Sequence, residues 1–383
     1  MRELGARVVA VDRQADARGL RVADKAEVVD FSDLASVADV GRRHGVSAVL
    51  TVASERAVPV VAAVSERLGL PGIASDTAQV MTHKVAMRRR LAEHGVPQPV
   101  FSAVSTSGEA RAGAEAVGFP AVIKPVDSAG QRGVFRLDSF DDLERHLPAA
   151  LGASTRREAI LERYHEGAEV NTLLVANRGD VMLITASDRV RPDGIGFGVA
   201  LAHVYPSTSP VDVLEEVERV AVAAVRALGL RDGIAYPQLL VARDGVRVIE
   251  VAARIPGGQM DEVPRIGTGI DLVEIALRQA LGLDVAEEFL RPRVQQPLAI
   301  SFLTAEPGVL TTGKVHRVGG VTRAESSPGV LRAETYIQPG DTIRPVQVDG
   351  DRCGYVIALG DTNLDALERA QAASQLIDVK VVA

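Results

Sequence analysis

Cysteine and aromatic residues are scarce in this sequence. Of its 383 residues, one is cysteine (Cys353), none is tryptophan, and aromatic residues make up 3%. A single cysteine cannot form an intrachain disulfide, which is typical of the reducing cytoplasm, so we expect a cytoplasmic protein in which Cys353 is not catalytic. Nucleic-acid binding usually needs an excess of basic residues and aromatic rings for stacking. This sequence has a formal net charge of −7 and few aromatic residues. The composition therefore argues against a nucleic-acid partner.

Long hydrophobic runs are also absent. No apolar segment reaches the roughly 20 residues that a helix needs to span a bilayer, and the first residues lead into a short predicted strand rather than a signal peptide. We therefore expect no membrane partner. The hydrophobic fraction of 46% and the charged fraction of 24% are typical of a folded protein, and the length allows two or three domains.

Residues 1–83 alternate between predicted strands and helices. We expect strands over 7–11, 26–29 and 48–52, and helices over 32–44, capped by Ser32, and over 58–68. This βαβα order is typical of an open parallel sheet. Such folds usually begin with one more strand and a glycine-rich turn, so we expect one βα unit of roughly 20 to 30 residues to be missing before residue 1. Sheet edges exposed there would favour a homodimer.

A predicted hairpin between residues 238 and 251 turns at Asp244-Gly245. Its second strand carries Glu250, and Arg254 follows just before a Gly257-Gly258 turn. A carboxylate at the end of a buried strand is costly unless it is paired or holds a cation. An arginine beside free backbone N–H groups is suited to an anion. The pattern fits a site for a metal-bound phosphate, and it equally fits an Arg–Glu ion pair beside a glycine turn.

Two further segments carry basic residues or glycine. On a predicted helix from 84 to 94, Lys84 and Arg88 are four residues apart and share a face, which on an isolated helix would by default be a solvated basic face. A predicted strand over 119–125 carries Lys124 near its end. The loop that follows, 127–134, has small residues whose backbone N–H groups could wrap phosphate oxygens. It matches neither GxxxxGK[ST] nor GxGxxG, and most such loops are only turns.

Taken in order, these segments resemble the ATP-grasp superfamily. The order is a lysine-bearing helix ending in GVP, a strand ending in IKP, a small glycine loop, the run LERYHEGAEV and a strand carrying EVAAR, over about residues 82–283. The resemblance implies an α/β and α+β architecture with the ATP-grasp fold. It places an N-terminal Rossmann-like domain, similar to the biotin carboxylase N-terminal domain and lacking its first strand, at 1–83. The ATP-grasp domain would be 84–284, with a mobile lid at about 105–162, and an α+β domain would be 285–383.

The resemblance also implies roles for single residues, with ATP and Mg²⁺ as cofactors. Lys84 and Lys124 would reach the ATP phosphates. The remaining nucleotide contacts would come from the loop residues Ser128, Gly130 and Gly133, from Glu162 and Tyr164 at the adenine edge, and from Glu169 at the ribose hydroxyls. Magnesium would be held by Glu250 and Gln238, and the acyl phosphate would be steadied by Arg254, Gly257 and Gly258.

Two positions depart from the family pattern. A glutamate usually stands in place of Gln238, and an asparagine in place of Ala252, and both normally hold magnesium. Magnesium favours octahedral coordination by carboxylates, phosphates and waters. Because Gln238 offers a neutral oxygen and Ala252 offers none, we expect weaker binding of at least one metal ion.

The tail, 285–383, resembles the C-terminal domain of bacterial L-amino acid ligases. It has predicted strands over 298–303 and 315–318, and a strand from Gly354 that leads into a helix over 363–376. The implied function is an ATP-dependent carboxylate–amine ligase that forms an amide or peptide bond through an acyl phosphate, with amino acids as its small-molecule carboxylate and amine. His203 has a suitable pKa range for a general base. The interpretation that we favour over a base is that His203 holds a substrate carboxylate or simply packs at a strand end.

Three other hypotheses stay open from the sequence. One is an ATP-grasp ligase of secondary metabolism that acts on a carboxylate other than an amino acid. Another is a nucleotide-binding protein with impaired catalysis, given Gln238 and Ala252. The third is a dehydrogenase built on the N-terminal sheet, for which Asp12 after a strand is the one supporting feature, since the glycine fingerprint is missing.

Overall fold

The computed structural model describes residues 5–192 and 197–382. Its N-terminal part is a small α/β layer. Two strands pair in parallel and three helices accompany them: β1 (Val9–Asp12), β2 (Lys25–Val28), α1 (Arg18–Val22), α2 (Leu34–His44) and α3 (Val58–Leu68). The predicted cap Ser32 is wrong, because α2 begins at Leu34 and the Asp33 carboxylate accepts the backbone N–H groups of Ala35 and Ser36. The sequence also predicts a loop over 193–198, and residues 193–196 of it lie outside the described residues.

The predicted third strand at 48–52 is also wrong. Within the described residues this segment makes one parallel bridge, between Val52 and Ile255, and the N–H group of Ala53 donates to the Ile255 carbonyl at 2.9 Å. Its apolar residues suit a strand, but within the described residues the bridge at Val52 is the pairing that this segment forms. The consequence is that the loop after residue 52 lies beside the segment that carries Arg254.

A four-stranded antiparallel sheet forms the predicted lid, and we call it the lid sheet. Its strand order is β3-β6-β4-β5, and two helices pack on it around a buried cluster that includes Ile123 and Leu161. Its elements, with the two helices that precede it, are α4 (Ser75–Met81), α5 (Lys84–Glu93), β3 (Phe101–Val104), α6 (Ser107–Val117), β4 (Ala121–Pro125), β5 (Phe135–Leu137), α7 (Phe140–Gly152) and β6 (Ala159–Arg163).

An eight-stranded sheet forms the centre of the molecule, with the strand order β11-β10-β7-β8-β9-β12-β16-β14. Helix α8 packs on β10 and β11 over a large apolar core. The sheet continues across residue 285, because β9 pairs with β12. Its elements are β7 (Gly167–Asn177), β8 (Asp180–Val190), β9 (Ala202–Tyr205), α8 (Val211–Ala227), β10 (Gly233–Ala242), β11 (Gly245–Ala252), β12 (Leu298–Leu303), β14 (Val330–Thr335) and β16 (Gly354–Leu359).

The remaining elements flank this sheet. A second small sheet has the order β15-β13-β17, and helix α12 packs on β12 and β16. The bounds of these remaining elements are α9 (Glu262–Gly267), α10 (Leu272–Ala280), β13 (Gly313–Gly319), α11 (Val321–Glu325), β15 (Thr342–Ile343), α12 (Asn363–Ser374) and β17 (Asp378–Val382). Among the described residues, no helix is long and apolar enough to cross a membrane.

The hairpin of β10 and β11 turns where the sequence predicts. Its register places Gln238 directly opposite Glu250, and β7 places Asn171 opposite Gln238 on the other side. Residues that lie opposite one another on adjacent strands project their side chains on the same face. The register therefore brings the two predicted magnesium ligands together.

Arg88 is buried, with 1% of its surface exposed, so the default expectation of a solvated basic face is wrong for α5. Its Nε donates to the Glu162 carboxylate at 2.7 Å, and its two terminal nitrogens donate to the carbonyls of Val248 at 2.8 Å and Ile249 at 2.5 Å. A buried guanidinium is tolerated because each of these donors has an acceptor. Arg88 thereby fastens α5 to both β6 and β11.

We expect Arg88→Met to lower the free energy of unfolding by roughly 3–5 kcal/mol, because it removes one partner of a buried ion pair and leaves two carbonyls without donors. Urea unfolding would measure this. The matched control is Arg90→Met on the same helix, which removes an exposed pair with Glu93 and should cost less than about 1 kcal/mol. Equal losses in the two variants would contradict the assigned role of Arg88.

Candidate active site

Two adjoining cavities lie between the lid sheet and the eight-stranded sheet. The lid cavity, of about 100 Å³, is lined by both predicted lysines and the glycine loop. The arginine cavity, of about 380 Å³, is lined by Arg189, Arg254 and Arg352. The two cavities share six lining residues, Ala129, Gly130, Gln131, Arg189, Gln238 and Glu250.

The cavities collect all but one of the site residues predicted from the sequence. The lid cavity holds Lys84, Lys124, Ser128, Gly130, Glu162, Tyr164, Glu169, Gln238 and Glu250. The arginine cavity adds His203, Arg254, Gly257 and Gly258. The exception is Gly133, where an added Cβ would lie 2.8 Å from the Ala153 Cβ and 2.9 Å from the Pro125 Cγ. Gly133 is thus needed for close packing beneath the loop.

Each lysine of the lid cavity is paired with a carboxylate. The Nζ of Lys84 lies 2.8 Å from the Glu250 Oε1 and also donates to the Ser128 carbonyl at 2.9 Å. The Nζ of Lys124 lies 2.8 Å from the Glu162 Oε2. These pairs hold the lysine charges at the floor of the cavity, where phosphate oxygens could replace the carboxylates as their partners.

Glu162 is held between two cations. Burial alone would raise the pKa of its carboxyl, but Arg88 and Lys124 outweigh burial and lower the pKa to about 2. The Glu250 carboxyl behaves in the same way, since burial opposes ionisation while Lys84 lowers its pKa. Both groups are therefore ionised at neutral pH.

Glu169, predicted to meet the ribose, faces two arginines. Its Oε1 lies 3.0 Å from the Arg191 Nε, and its Oε2 lies 3.6 Å from the Arg189 Nε. Tyr164 lies beside it in the lid cavity, with the guanidinium of Arg136 4.5 Å from its ring centroid. This end of the cavity combines an aromatic face with several charged groups.

Glu250 and Gln238 are the side chains suited to magnesium. The Gln238 amide nitrogen lies 3.4 Å from the Asn171 Oδ1 and 3.3 Å from the Tyr236 hydroxyl, and within the described chain its Oε1 has no hydrogen-bond donor. One carboxylate and one free amide oxygen fit a Mg²⁺ ion that takes its other ligands from phosphate and water. Among the described residues, no group of three or more His, Cys, Asp or Glu side chains could hold a metal ion.

Glu55 belongs to the site although sequence reasoning missed it. Its carboxylate accepts from the Arg254 Nε at 2.7 Å, and burial raises its pKa despite the nearby Arg254 charge. It lies on a short 3₁₀ helix, Glu55–Ala57, just after the segment predicted as a third strand. The sequence carried no usable signal for Glu55, because the strand predicted just before it is not formed and its partner Arg254 lies 199 residues away.

His203 is buried between polar groups of the arginine cavity. Its Nδ1 lies 3.1 Å from the Asn171 amide nitrogen, which can only donate, so the neutral ring carries its proton on Nε2. Burial, followed by the charges of Arg189 and Arg352, lowers its pKa well below the usual value. His203 is therefore a neutral N–H donor at neutral pH. Asn171, Arg189 and Arg352 carried no motif in the sequence.

Two protein-family models cover most of the chain up to residue 288. The model described as "ATP-grasp N-terminal domain" matches residues 2–72, and "Carbamoyl-phosphate synthase L chain, ATP binding domain" matches residues 83–288, more than half of the chain. The chain belongs to the ATP-grasp ligase family. ATP and Mg²⁺ are the cofactors typical of ATP-grasp enzymes, which confirms the predicted pair. A third model, "L-amino acid ligase C-terminal domain 2", matches residues 301–382.

Relatives of this ATP-grasp chain include proteins of different descriptions. It is 26% identical to the uncharacterized protein y4rH of Sinorhizobium fredii, over 93% of this chain and 74% of that one. It is 29% identical to a formate-dependent phosphoribosylglycinamide formyltransferase of Ignicoccus hospitalis, over 99% and 92%. The crystal structure of an L-amino acid ligase from Bacillus licheniformis matches this structure with a TM-score of 0.86 at 22% sequence identity. The match covers 100% of this chain and 94% of that chain. The predicted ATP-grasp fold is confirmed.

We expect the stability that Glu162 contributes to depend on pH. Its folded-state pKa lies below the unfolded value, so this contribution is complete above about pH 4.5 and is lost as the pH falls toward about 2. Urea unfolding of wild type and Glu162→Gln should therefore differ most near neutrality and converge in acid. Glu166→Gln, at an exposed carboxylate four residues on, should show little difference at any pH. A gap between wild type and Glu162→Gln that stays constant from pH 7 to pH 3 would rule out this linkage.

Proposed function

We propose that this ATP-grasp protein is a carboxylate–amine ligase that joins two amino acids. The observation that carries the proposal is the meeting of two cavities at Glu250 and Gln238. One cavity offers lysines and a glycine loop for a nucleotide, and the other offers arginines, a neutral histidine and a glycine turn for the reacting acid and amine. A ligase that uses ATP needs both compartments in contact, because the phosphate must reach the carboxylate.

The lid cavity would bind ATP with its phosphates toward Glu250. Lys84 and Lys124 would pair with phosphate oxygens, and the loop around Ser128 and Gly130 would supply backbone N–H groups. Phosphate contact would free Glu250 from Lys84, so that Glu250 and Gln238 could hold Mg²⁺, which neutralises phosphate charge when bound. Phosphoryl transfer needs positioning and charge neutralisation rather than a covalent nucleophile, and these residues supply both.

The acid substrate would react first. One oxygen of its carboxylate attacks the γ-phosphorus of ATP, and the bond from that phosphorus to the β,γ-bridging oxygen breaks. ADP is released, and the acid has become an acyl phosphate. The neutral amine nitrogen then attacks the acyl carbon, the bond from that carbon to the phosphate oxygen breaks, and the departing phosphate can take up the proton that the amine loses as the amide forms. Arg254, held by Glu55, and the N–H groups of the Gly257-Gly258 turn lie where they could stabilise the oxyanion of this second step.

The role of His203 favours substrate binding over base catalysis. Its Nδ1 is occupied by Asn171, and its Nε2 carries the proton. A neutral imidazole in this tautomer offers a donor, not an acceptor, to the cavity. We therefore assign His203 to holding a substrate oxygen.

Amino acids are supported as substrates by the C-terminal part of the chain. Residues 301–382 match the L-amino acid ligase domain model, and this segment supplies Phe302, Tyr336, Asp349 and Arg352 to the arginine cavity. The segment that resembles the amino acid ligase domain therefore contributes to the lining of the substrate side.

Two other functions have specific support. The similarity to a formate-dependent phosphoribosylglycinamide formyltransferase, together with three arginines in one cavity, favours a phosphate-bearing amine as the alternative substrate. The second alternative is a nucleotide-binding protein with impaired turnover. It is supported by Gln238, whose side chain is neutral, and by Ala252, whose side chain has no oxygen to bind magnesium.

The first test is ADP release from ATP and Mg²⁺ across all pairs of the twenty standard L-amino acids, with mass spectrometry of the products. We expect ADP with particular pairs and a matching dipeptide mass. ADP release that needs formate or a phosphorylated amine would favour the first alternative. Binding of ATP by calorimetry without ADP release from any substrate would favour the second.

Arg254→Gln should lower kcat with the active pair by about 10²–10³, the range for loss of an oxyanion donor. ATP affinity should change little, because Arg254 lines the arginine cavity and not the lid cavity. The matched control is Arg291→Gln, which removes an exposed pair with Glu287. Unchanged kcat in Arg254→Gln would exclude Arg254 from the amide-forming step.

A further inference from the structure

Arg352 enters the arginine cavity from the C-terminal part of the chain. It follows a short 3₁₀ helix, Asp349–Asp351, and 10% of its side chain is exposed. Its Nε donates to the Ala200 carbonyl at 3.1 Å, its Nη2 donates to the Asp349 Oδ1 at 2.8 Å, and its guanidinium lies 4.1 Å from the Phe302 ring centroid. Within the described chain, no acceptor meets the remaining nitrogen, Nη1.

The Nη1 atom faces the space above the glycine turn. A Cβ built on Gly258 would lie 3.4 Å from Nη1, 3.4 Å from the Phe302 ring and 3.9 Å from the Nε2 of His203. The space is open because Gly258, at a φ of +70°, has no side chain. Two N–H donors, one charged and one neutral, therefore converge on a space beside the turn assigned to the oxyanion.

A second guanidinium lines the same cavity. Arg189 is 8% exposed, and its Nη2 donates to the Gly198 carbonyl. Its buried Nε has no hydrogen-bond partner in the described chain, although the Glu169 Oε2 lies 3.6 Å away as an ion-pair partner. Burial lowers the pKa of Arg352, Asp349 opposes this shift, and the Arg189 charge adds to it. Because both guanidiniums line the arginine cavity, an anion bound there would be attracted to both.

The cations here outnumber the carboxylates. Elsewhere at the site Glu250 is paired with Lys84, and Glu55 with Arg254. Three more guanidiniums, those of Arg189, Arg191 and Arg352, face two carboxylates, those of Glu169 and Asp349. One positive charge is left without a partner among these groups, which is what a buried anion-binding subsite requires.

We propose that Arg352 and Arg189, with the Nε2–H of His203, bind a substrate carboxylate that does not react, namely that of the amine-bearing amino acid. This inference rests on the proposed function. In an α-amino acid one carbon separates the carboxylate from the amine, so a carboxylate anchored above Gly258 places the nitrogen next to the acyl carbon at the glycine turn. The other source of the same chemistry is the side-chain carboxylate of an acidic donor.

The experiment compares each of the twenty L-amino acids with its carboxamide. Calorimetry measures their binding to the protein loaded with Mg²⁺ and a non-hydrolysable ATP analogue, and ADP release gives KM and kcat. In wild type, the amide of the acceptor should have a KM about tenfold or more above that of the acid, because it leaves the guanidinium without its partner. Arg352→Gln should raise the KM of the acid by about the same factor and leave that of the amide within about twofold.

Arg352→Lys should restore part of the preference for the acid, because it keeps the charge and loses the planar fork. The control is Arg317→Gln, at an exposed pair with Asp378 on the distal small sheet, which should change nothing. A loss of KM discrimination confined to aspartate and glutamate as donors would place the same subsite on the donor. A purely structural role of Arg352 would lower activity with acid and amide equally, and that result would overturn the proposal.

The calorimetric binding measurement tests the carboxylate subsite separately from the proposed ligase activity. Acid-over-amide binding that depends on Arg352, without ADP release from any pair, would keep the subsite and reject the ligase. ADP release from amino acids without Arg352-dependent discrimination would keep the ligase and reject the subsite. If no amino acid binds to the loaded protein, the subsite is rejected as well.

Discussion

The buried carboxylate of Glu162 is the constraint on which the site depends. A charge in the interior is costly unless cations meet it, and here Arg88 comes from α5 and Lys124 from β4 of the lid sheet. Arg88 also donates hydrogen bonds to the carbonyls of Val248 and Ile249 in β11. A single charge cluster thus joins the lid sheet, α5 and the eight-stranded sheet. One helical turn before Arg88, the same helix delivers Lys84 to Glu250.

Charge pairing organises the rest of the site in the same way. Arg254 is held by Glu55, which comes from the N-terminal layer, and Arg352 is held by Asp349, which comes from the C-terminal part. The N-terminal layer, the lid sheet, the eight-stranded sheet and the C-terminal part therefore each contribute charged partners to the cavities. The arrangement suits a reaction in which phosphate, carboxylate and amine must be brought together with little help from a covalent nucleophile.

The sequence reveals what depends on local pattern. The helix over 58–68, the hairpin that carries Glu250 and the lysine-bearing strand β4 follow from periodicity and turn chemistry, and motif order identifies the family. What it does not reveal depends on contacts across the chain. Arg88 looks like a surface residue until β6 and β11 are placed against its helix. Glu55 meets Arg254 across 199 residues, and no local signal predicts that Arg352 meets Ala200. The segment 48–52 has strand composition, but its backbone pairs elsewhere.

The continuity of the eight-stranded sheet has a mechanical consequence. His203, Gln238 and Phe302 stand on β9, β10 and β12, so their spacing is set by one hydrogen-bonded framework. The lid sheet is a separate sheet. Among the described residues it meets the C-terminal part through a backbone hydrogen bond from the Asp349 N–H to the Gly130 carbonyl at 3.1 Å. Any movement of the lid sheet away from the eight-stranded sheet would thus have to break this hydrogen bond and strain the Arg88–Glu162 ion pair. The shared sheet would still hold His203, Gln238 and Phe302 in place relative to one another.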